Sequence, residues 1–255
     1  MIIKTILSSI IVGIAATGCT STSINHIFSH GEKPSENIVT ADYNFSDLKG
    51  IDTACGIIVH YTPTASAEPI RAEGPENVLE ALEIKRSKNG TLCLRIENGK
   101  NFRYRSKEQH ANIWIAAPDI SDFEASSGGS IIVDGALSLS TPVDIEASSG
   151  ASVSIASIKA TKMELEASSG AHIKISTLSA ETVEADASSG AGITIAGGNA
   201  TYAYFDASSG SSIKASELEV QKGSCSASSG ASIKSSIRNA KTDKSSGGSV
   251  SNKTK

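Results

Sequence analysis

Apolar and polar residues alternate along Val143-Asp144-Ile145-Glu146-Ala147, break at Ser148-Ser149-Gly150, and alternate again along Ala151-Ser152-Val153-Ser154-Ile155. A period of two is that of a half-buried strand, so the segment predicts strand, sharp turn, strand. The phrase recurs. Ala-Ser-Ser-Gly begins at Ala125, Ala147, Ala167, Ala187, Ala207 and Ala227, with a first gap of 22 residues and then a constant 20. A fixed period in this range marks stacked supersecondary units rather than one globular core. At ~3.3 Å per strand residue, one period traces a closed path of roughly 60 Å, enough for three short sides with a corner between each. The pattern therefore predicts an all-β, parallel β-helix-like solenoid with coils of about 20 residues over 121–250, preceded by a strand-rich part.

Stacked coils bring equivalent residues ~4.8 Å apart, so the sequence can also be read down columns. One inward column is Val153, Ile173, Ile193, Ile213, Ile233, and a second is Ile155, Ile175, Ile195, weakening to Ala215 and Ser235. A third runs Ile145, Leu165, Ala185, Phe205, Cys225, and a fourth Ile158, Leu178, Gly198, Leu218. Each buried Ile or Leu contributes roughly 1.5–3 kcal/mol, so the stack should loosen toward its C-terminal end. At the corner, Gly permits a positive φ, and the Ser hydroxyls are placed to bond neighbouring backbone or one another up the stack. A nucleophilic Ser needs one base and one oxyanion site; a Ser repeated six times without a His is scaffold.

Residues 38–120 lack the repeat but still read as strands: Gly56–Thr62, Glu83–Ser87, Thr91–Ile96 and Asn112–Ala116, with turns at 87–90 and 117–119 and one short helical segment from Pro75 to Leu82. They are placed to cap one end of the stack. At the other end Lys244-Ser245-Ser246-Gly247-Gly248 is a decayed last copy, followed by a polar tail (251–255), leaving an edge open to self-association.

The first residues have the layout of a removable export signal (1–18): Lys4, an apolar run from Ile6 to Ala16, then small residues up to Cys19. The run is too short to span a membrane. Ala16-Thr17-Gly18-Cys19 resembles the bacterial lipobox, with Ala16 where Leu is usual, so Cys19 is expected to carry the lipid that anchors the protein to a membrane; an ordinary signal with an unmodified Cys19 is the alternative. Residues 19–37 then form a tether holding His26 and His30 in solvent. Cys55, Cys93 and Cys225 remain. Cys225 reads as a small buried thiol, and Cys55 with Cys93 as a disulfide or as two free thiols. No Cys or His spacing suggests zinc.

The order of motifs resembles the auto-transporter adhesin, head GIN domain family, a domain of unknown function found in Bacteroidetes-type envelope lipoproteins. The resemblance rests on Phe45-Ser46-Asp47-Leu48-Lys49-Gly50-Ile51 leading into Gly56-Ile57-Ile58-Val59, on Ala72-Glu73-Gly74-Pro75-Glu76-Asn77-Val78-Leu79, on Gly90-Thr91-Leu92, and on Ile113-Trp114-Ile115-Ala116-Ala117-Pro118 before the first Ser-Ser-Gly. It covers about residues 38–250 and implies a right-handed stack, a cell-envelope location facing either side of the outer membrane, and an adhesive role without catalytic residues. The uniform corners depart from the variable ones of relatives, which puts loop-borne specificity in doubt.

Chemistry is best sought on the outward positions before each corner: Glu124, Glu146, Glu166, Asp186, Asp206, and two residues earlier Asp144, Glu164, Glu184. Alternation places both sets on one solvent face. Like charges ~4.8 Å apart repel by up to ~1 kcal/mol per pair in water. Three accounts offset this: solvation and screening, calcium held between successive carboxylates, or a partner face for a basic surface or a glycan. Lys174, Lys214 and Lys234 form a smaller basic column that either stands alone or pairs with the acids across the corner. A carbohydrate-active enzyme would need a once-only cluster, whereas these carboxylates are periodic and His172 is the one non-repetitive polar group on the coils. The charge count of 23 − 27 = −4 gives no source for the counterion release that drives nucleic-acid binding. The expectation is a non-catalytic envelope lipoprotein with an adhesin-like role toward a surface glycan or envelope protein. The alternatives are a structural envelope component and a polysaccharide lyase or hydrolase; the oligomeric state is open.

Overall fold

The computed structural model describes residues 31–253; the export signal, Cys19, His26 and His30 lie outside them. The chain forms β1 (Ile38–Tyr43), β2 (Gly50–Thr53), β3 (Ile58–Pro63), β4 (Ile70–Pro75), the one-turn helix α1 (Glu76–Glu80), β5 (Leu82–Arg86), β6 (Thr91–Ile96), β7 (Asn112–Ala117), β8 (Asp122–Ala125) and β9 (Ser130–Ser138). It continues through β10 (Val143–Ala147), β11 (Ser152–Ala167), β12 (His172–Ala187), β13 (Gly192–Ile195), β14 (Gly198–Ala207), β15 (Ser212–Ala227), β16 (Ser232–Lys244) and β17 (Ser249–Asn252). Together they wind a β-solenoid of about seven turns.

The columns read from the sequence are the parallel register of the stack. Val153 lies beside Ile173, Ile155 beside Ile175, Leu165 beside Ala185 and Leu178 beside Gly198, and the apolar side chains of all four columns are buried. A coil has three sides, but in the coils of β11, β12 and β15 only one corner interrupts pairing. Within β11 the strict alternation slips at Ala156-Ser157 and again at Thr161-Lys162, where two successive residues turn outward. These slips bend the ribbon while hydrogen bonding continues, which is why β11 runs 16 residues unbroken.

The third corner is the Ser-Ser-Gly. Ser149 (φ 53°) and Gly150 (φ 73°) are both left-handed, and the Ala151 N–H donates to the Ser148 carbonyl at 3.0 Å, the geometry of a type I′ turn. The hydroxyl ladder expected there is absent among the described residues; backbone supplies the ladder instead. The Gly150 N–H donates to the Ser169 carbonyl of the next corner at 3.1 Å, Gly170 to Ser189 and Gly190 to Ser209 likewise.

The 22-residue first gap has a physical explanation. The register between β9 and β11 slips by one at Asp134-Gly135, with Gly135 at φ 100°, and the second extra residue sits in the loop joining β9 to β10.

The N-terminal part is woven into the stack rather than laid on its end. Strand β2 lies parallel between β6 and β8, and β3 between β7 and β9, so the chain makes one coil, crosses to the far side of it, and returns. That interleaved coil has its own corner: Cys55 (φ 58°) and Gly56 (φ 74°) repeat the Ser-Gly conformation, and the Ile57 N–H donates to the Ala54 carbonyl. Thr53-Ala54-Cys55-Gly56 is thus a further corner, hidden by its residue types. Antiparallel β1, β4 and β5 cover the terminal coil. Residues 31–37, expected in the tether, lie against this cap: the Asn77 side chain accepts from the Ser35 N–H and donates to Glu32 and the Lys33 carbonyl. Cys55 and Cys93 do not form a disulfide: Cys55 is exposed, Cys93 is half-buried with its thiol donating to the Thr91 carbonyl, and Cys225 is buried.

The opposite end tapers. Ala227 pairs with Lys244 and Val220 with Ile237, so the last coil is three residues shorter than its predecessors. Asn252 closes it: its Oδ1 accepts from the Ile237 N–H at 2.8 Å and the Ser235 hydroxyl at 2.9 Å, and its Nδ2 donates to the Ile237 carbonyl at 2.8 Å. The amide takes the role of a missing strand. Its strand β17 begins before the polar tail expected from residue 251 and includes that tail's first two residues.

Candidate functional site

The acidic residues singled out from the sequence fall on one face, as alternation requires. Asp144, Glu164 and Glu184 are in register on β10, β11 and β12, and so are Glu146, Glu166 and Asp186, continuing to Asp206 on β14. The ladder extends past the repeat: Glu124 of β8 lies beside Glu146, and Asp52 of β2 beside Glu124. A groove of about 250 Å³ follows the corner, lined by the carboxylates Glu124 to Asp206 and by the first serine of each corner from Ser148 to Ser208.

The carboxylates feel one another. Partial burial, a hydrogen bond with Glu164 and the neighbouring charges of Glu164 and Asp122 push Asp144 up to about 6. Burial, then repulsion from Glu166 and Asp122, raises Glu146; burial, then Asp206, Glu166 and Glu184, raises Asp186. Glu164 moves the other way because Lys162 hydrogen-bonds it.

Lys162 is the counter-charge that the sequence reading missed. It pairs with Glu164 on its own strand and lies 3.0 Å from Glu184 on the next coil. The column Lys174, Lys214, Lys234 does not serve that purpose: these side chains are exposed on the adjoining side and form no ion pair among the described residues. At the N-terminal end Arg95 pairs with Asp52. Reading the outward positions at the Thr161-Lys162 bend, not only those at the Ser-Ser-Gly corner, would have found Lys162.

The same columns contain two tyrosines. Tyr202 stands beside Thr182 and Lys222, and Tyr204 beside Glu184 and Ser224; the buried Ala203 separates them and both rings are exposed. His172 occupies an outward position between Ser152 and Gly192, away from the acidic face. No three His, Cys, Asp or Glu side chains among the described residues are grouped so as to hold a metal ion; the carboxylates run in file and do not converge as a calcium site requires.

The described residues thus present a long surface on which carboxylates and corner serines repeat from coil to coil. The chain belongs to the family described as "Putative auto-transporter adhesin, head GIN domain", which it matches over residues 47–254. Three solved structures share its fold. A putative adhesin from Parabacteroides merdae ATCC 43184 is 17% identical with a TM-score of 0.75, covering 88% of this chain and 100% of that one. A putative adhesin from Parabacteroides distasonis ATCC 8503 is 17% identical with a TM-score of 0.73, over 87% and 99%. A putative lipid binding protein from the same organism is 16% identical with a TM-score of 0.75, over 87% and 99%. No curated protein matches the sequence.

Proposed function

We propose that this protein is a cell-envelope lipoprotein, anchored through Cys19, whose coils bind a surface glycan or envelope protein without turnover. The observation that carries the reading is the in-register ladder from Glu124 to Asp206. It offers the same carboxylate and corner serine on successive coils, so weak contacts can add along an extended partner. Membership in an adhesin-type family supports it.

Two measurements test the proposal. Labelled palmitate should enter the protein and be lost in a Cys19→Ala variant, and the purified chain should bind intact bacterial or host cells or a glycan array saturably. Absence of binding to every cell, glycan and envelope extract would overturn the adhesive role, and release of new reducing ends or unsaturated products from polysaccharides would replace it with catalysis.

A further inference from the structure

The β14 coil departs from the repeat on its outward face. Where the preceding coil has Thr182 and Glu184, β14 has Tyr202 and Tyr204, exposed at 37% and 46%. Neither ring serves the core, since inward packing on this strand belongs to Ala203 and Phe205. Exposing aromatic surface forgoes the gain of burying it, so two such rings on one strand are surplus to folding. Residues two apart project from the same face, on the order of 7 Å from each other, and together offer two apolar, electron-rich surfaces.

Their surroundings set the sign of the ligand. Asp186 and Asp206 flank the rings on the corner side, Glu166 continues the file, and none of the three has a basic partner among the described residues. Glu184 shares the Lys162 ammonium with Glu164. Lys222 follows Tyr202 on the next coil and bounds the patch on its far side. A polyanion would be repelled along the file. A cation would gain from both the carboxylates and the ring faces.

We propose that Tyr202 and Tyr204, with Asp186 and Asp206, bind a glycan carrying free amino groups, its sugar rings lying on the tyrosines and its ammonium groups on the carboxylates. Two rings spaced along one strand suit consecutive flat sugar units, whereas a lysine side chain engages one ring at a time. The inference rests on the adhesive reading above and names its ligand class.

The test is titration calorimetry of the mature chain with a glucosamine hexamer, an N-acetylglucosamine hexamer and an oligolysine of equal charge. The free-amine hexamer should bind at least tenfold tighter than the acetylated one, and added salt should weaken it. Tyr202→Ala with Tyr204→Ala should cost about tenfold, Tyr→Phe at both positions should restore binding, and Asp206→Asn should weaken it several-fold without lowering Tm. Equal or tighter binding of the acetylated hexamer overturns the ligand class but leaves the adhesive reading. Binding of oligolysine alone, insensitive to the tyrosines, assigns the face to a basic protein and overturns the proposal. No binding of any probe by a chain that still adheres to cells also overturns it, while loss of adhesion to everything rejects the broader function.

Discussion

Lys162 and Glu184 sit on successive coils with Nζ 3.0 Å from Oε2, and the same ammonium also holds Glu164. One cation therefore ties two adjacent strands and two carboxylates that would otherwise repel. Lys162→Met should lower stability slightly in low salt and by much less in 1 M salt, where exposed charges are screened. Denaturant unfolding at both ionic strengths checks this.

The raised carboxyls fix the direction of the pH response. In the folded state Asp144 titrates near 6, above its ordinary value of 3.8, and Glu146 and Asp186 are raised as well. Over that window the native state binds more protons than the unfolded chain, so stability falls as pH rises through it. Glu164, lowered by Lys162, works oppositely and loses its contribution only in more acidic solution. Tm should therefore increase on going from pH 7 to about pH 5. Asp144→Asn should remove part of that increase and stabilise the protein at pH 7 by about 0.5–1 kcal/mol after allowance for solvent screening.

The corners allow a local test. Ser169 (φ 51°) and Gly170 (φ 74°) are both left-handed, and the pair most suited to such a turn is Asn-Gly. Ser169→Asn should add about 0.5 kcal/mol. Gly170→Ala should cost about 1–2 kcal/mol through its Cβ, although a Cβ there meets nothing within 4 Å. Thermal melts of the two variants separate backbone strain from steric clash.

In the third inward column Phe205 stands between the smaller Ala185 and Cys225, and it is 2% exposed. Phe205→Ala should cost about 3–5 kcal/mol because neither neighbour can fill the void. Tyr204→Ala, one residue away but outward, should stay within about 0.5 kcal/mol.

Amide exchange should be faster after residue 215 than across 143–195, because the second column ends in Ala215 and Ser235 and no apolar side chain of Asn239–Lys244 is buried. Asn252→Ala should accelerate exchange at Ile237, whose N–H and carbonyl both lose their partners.

The solenoid was legible because its columns repeat one chemistry: Ile173, Ile193 and Ile213 announce their own stacking. The acidic face followed from the same arithmetic. What stayed hidden departs from the repeat in residue type while keeping its geometry. Cys55-Gly56 makes the same turn as Ser127-Gly128, yet no serine marks it, and without it the place of β2 and β3 inside the stack could not be read. Lys162 escaped because its position belongs to a corner made by two outward residues, which interrupts alternation without any turn residue. The tyrosines escaped because attention to what recurs passes over what occurs once.

The interleaving of β2 and β3 between strands that follow them divides the molecule into two architectural regimes. Downstream of Ala125 each coil rests only on its neighbours, so whole coils can be duplicated or deleted in frame and the body lengthened or shortened at will. Upstream, no turn can be excised without unthreading another. Reach is thus adjustable between the interlock and the amide plug, while the end capped by β1, β4 and β5 is locked.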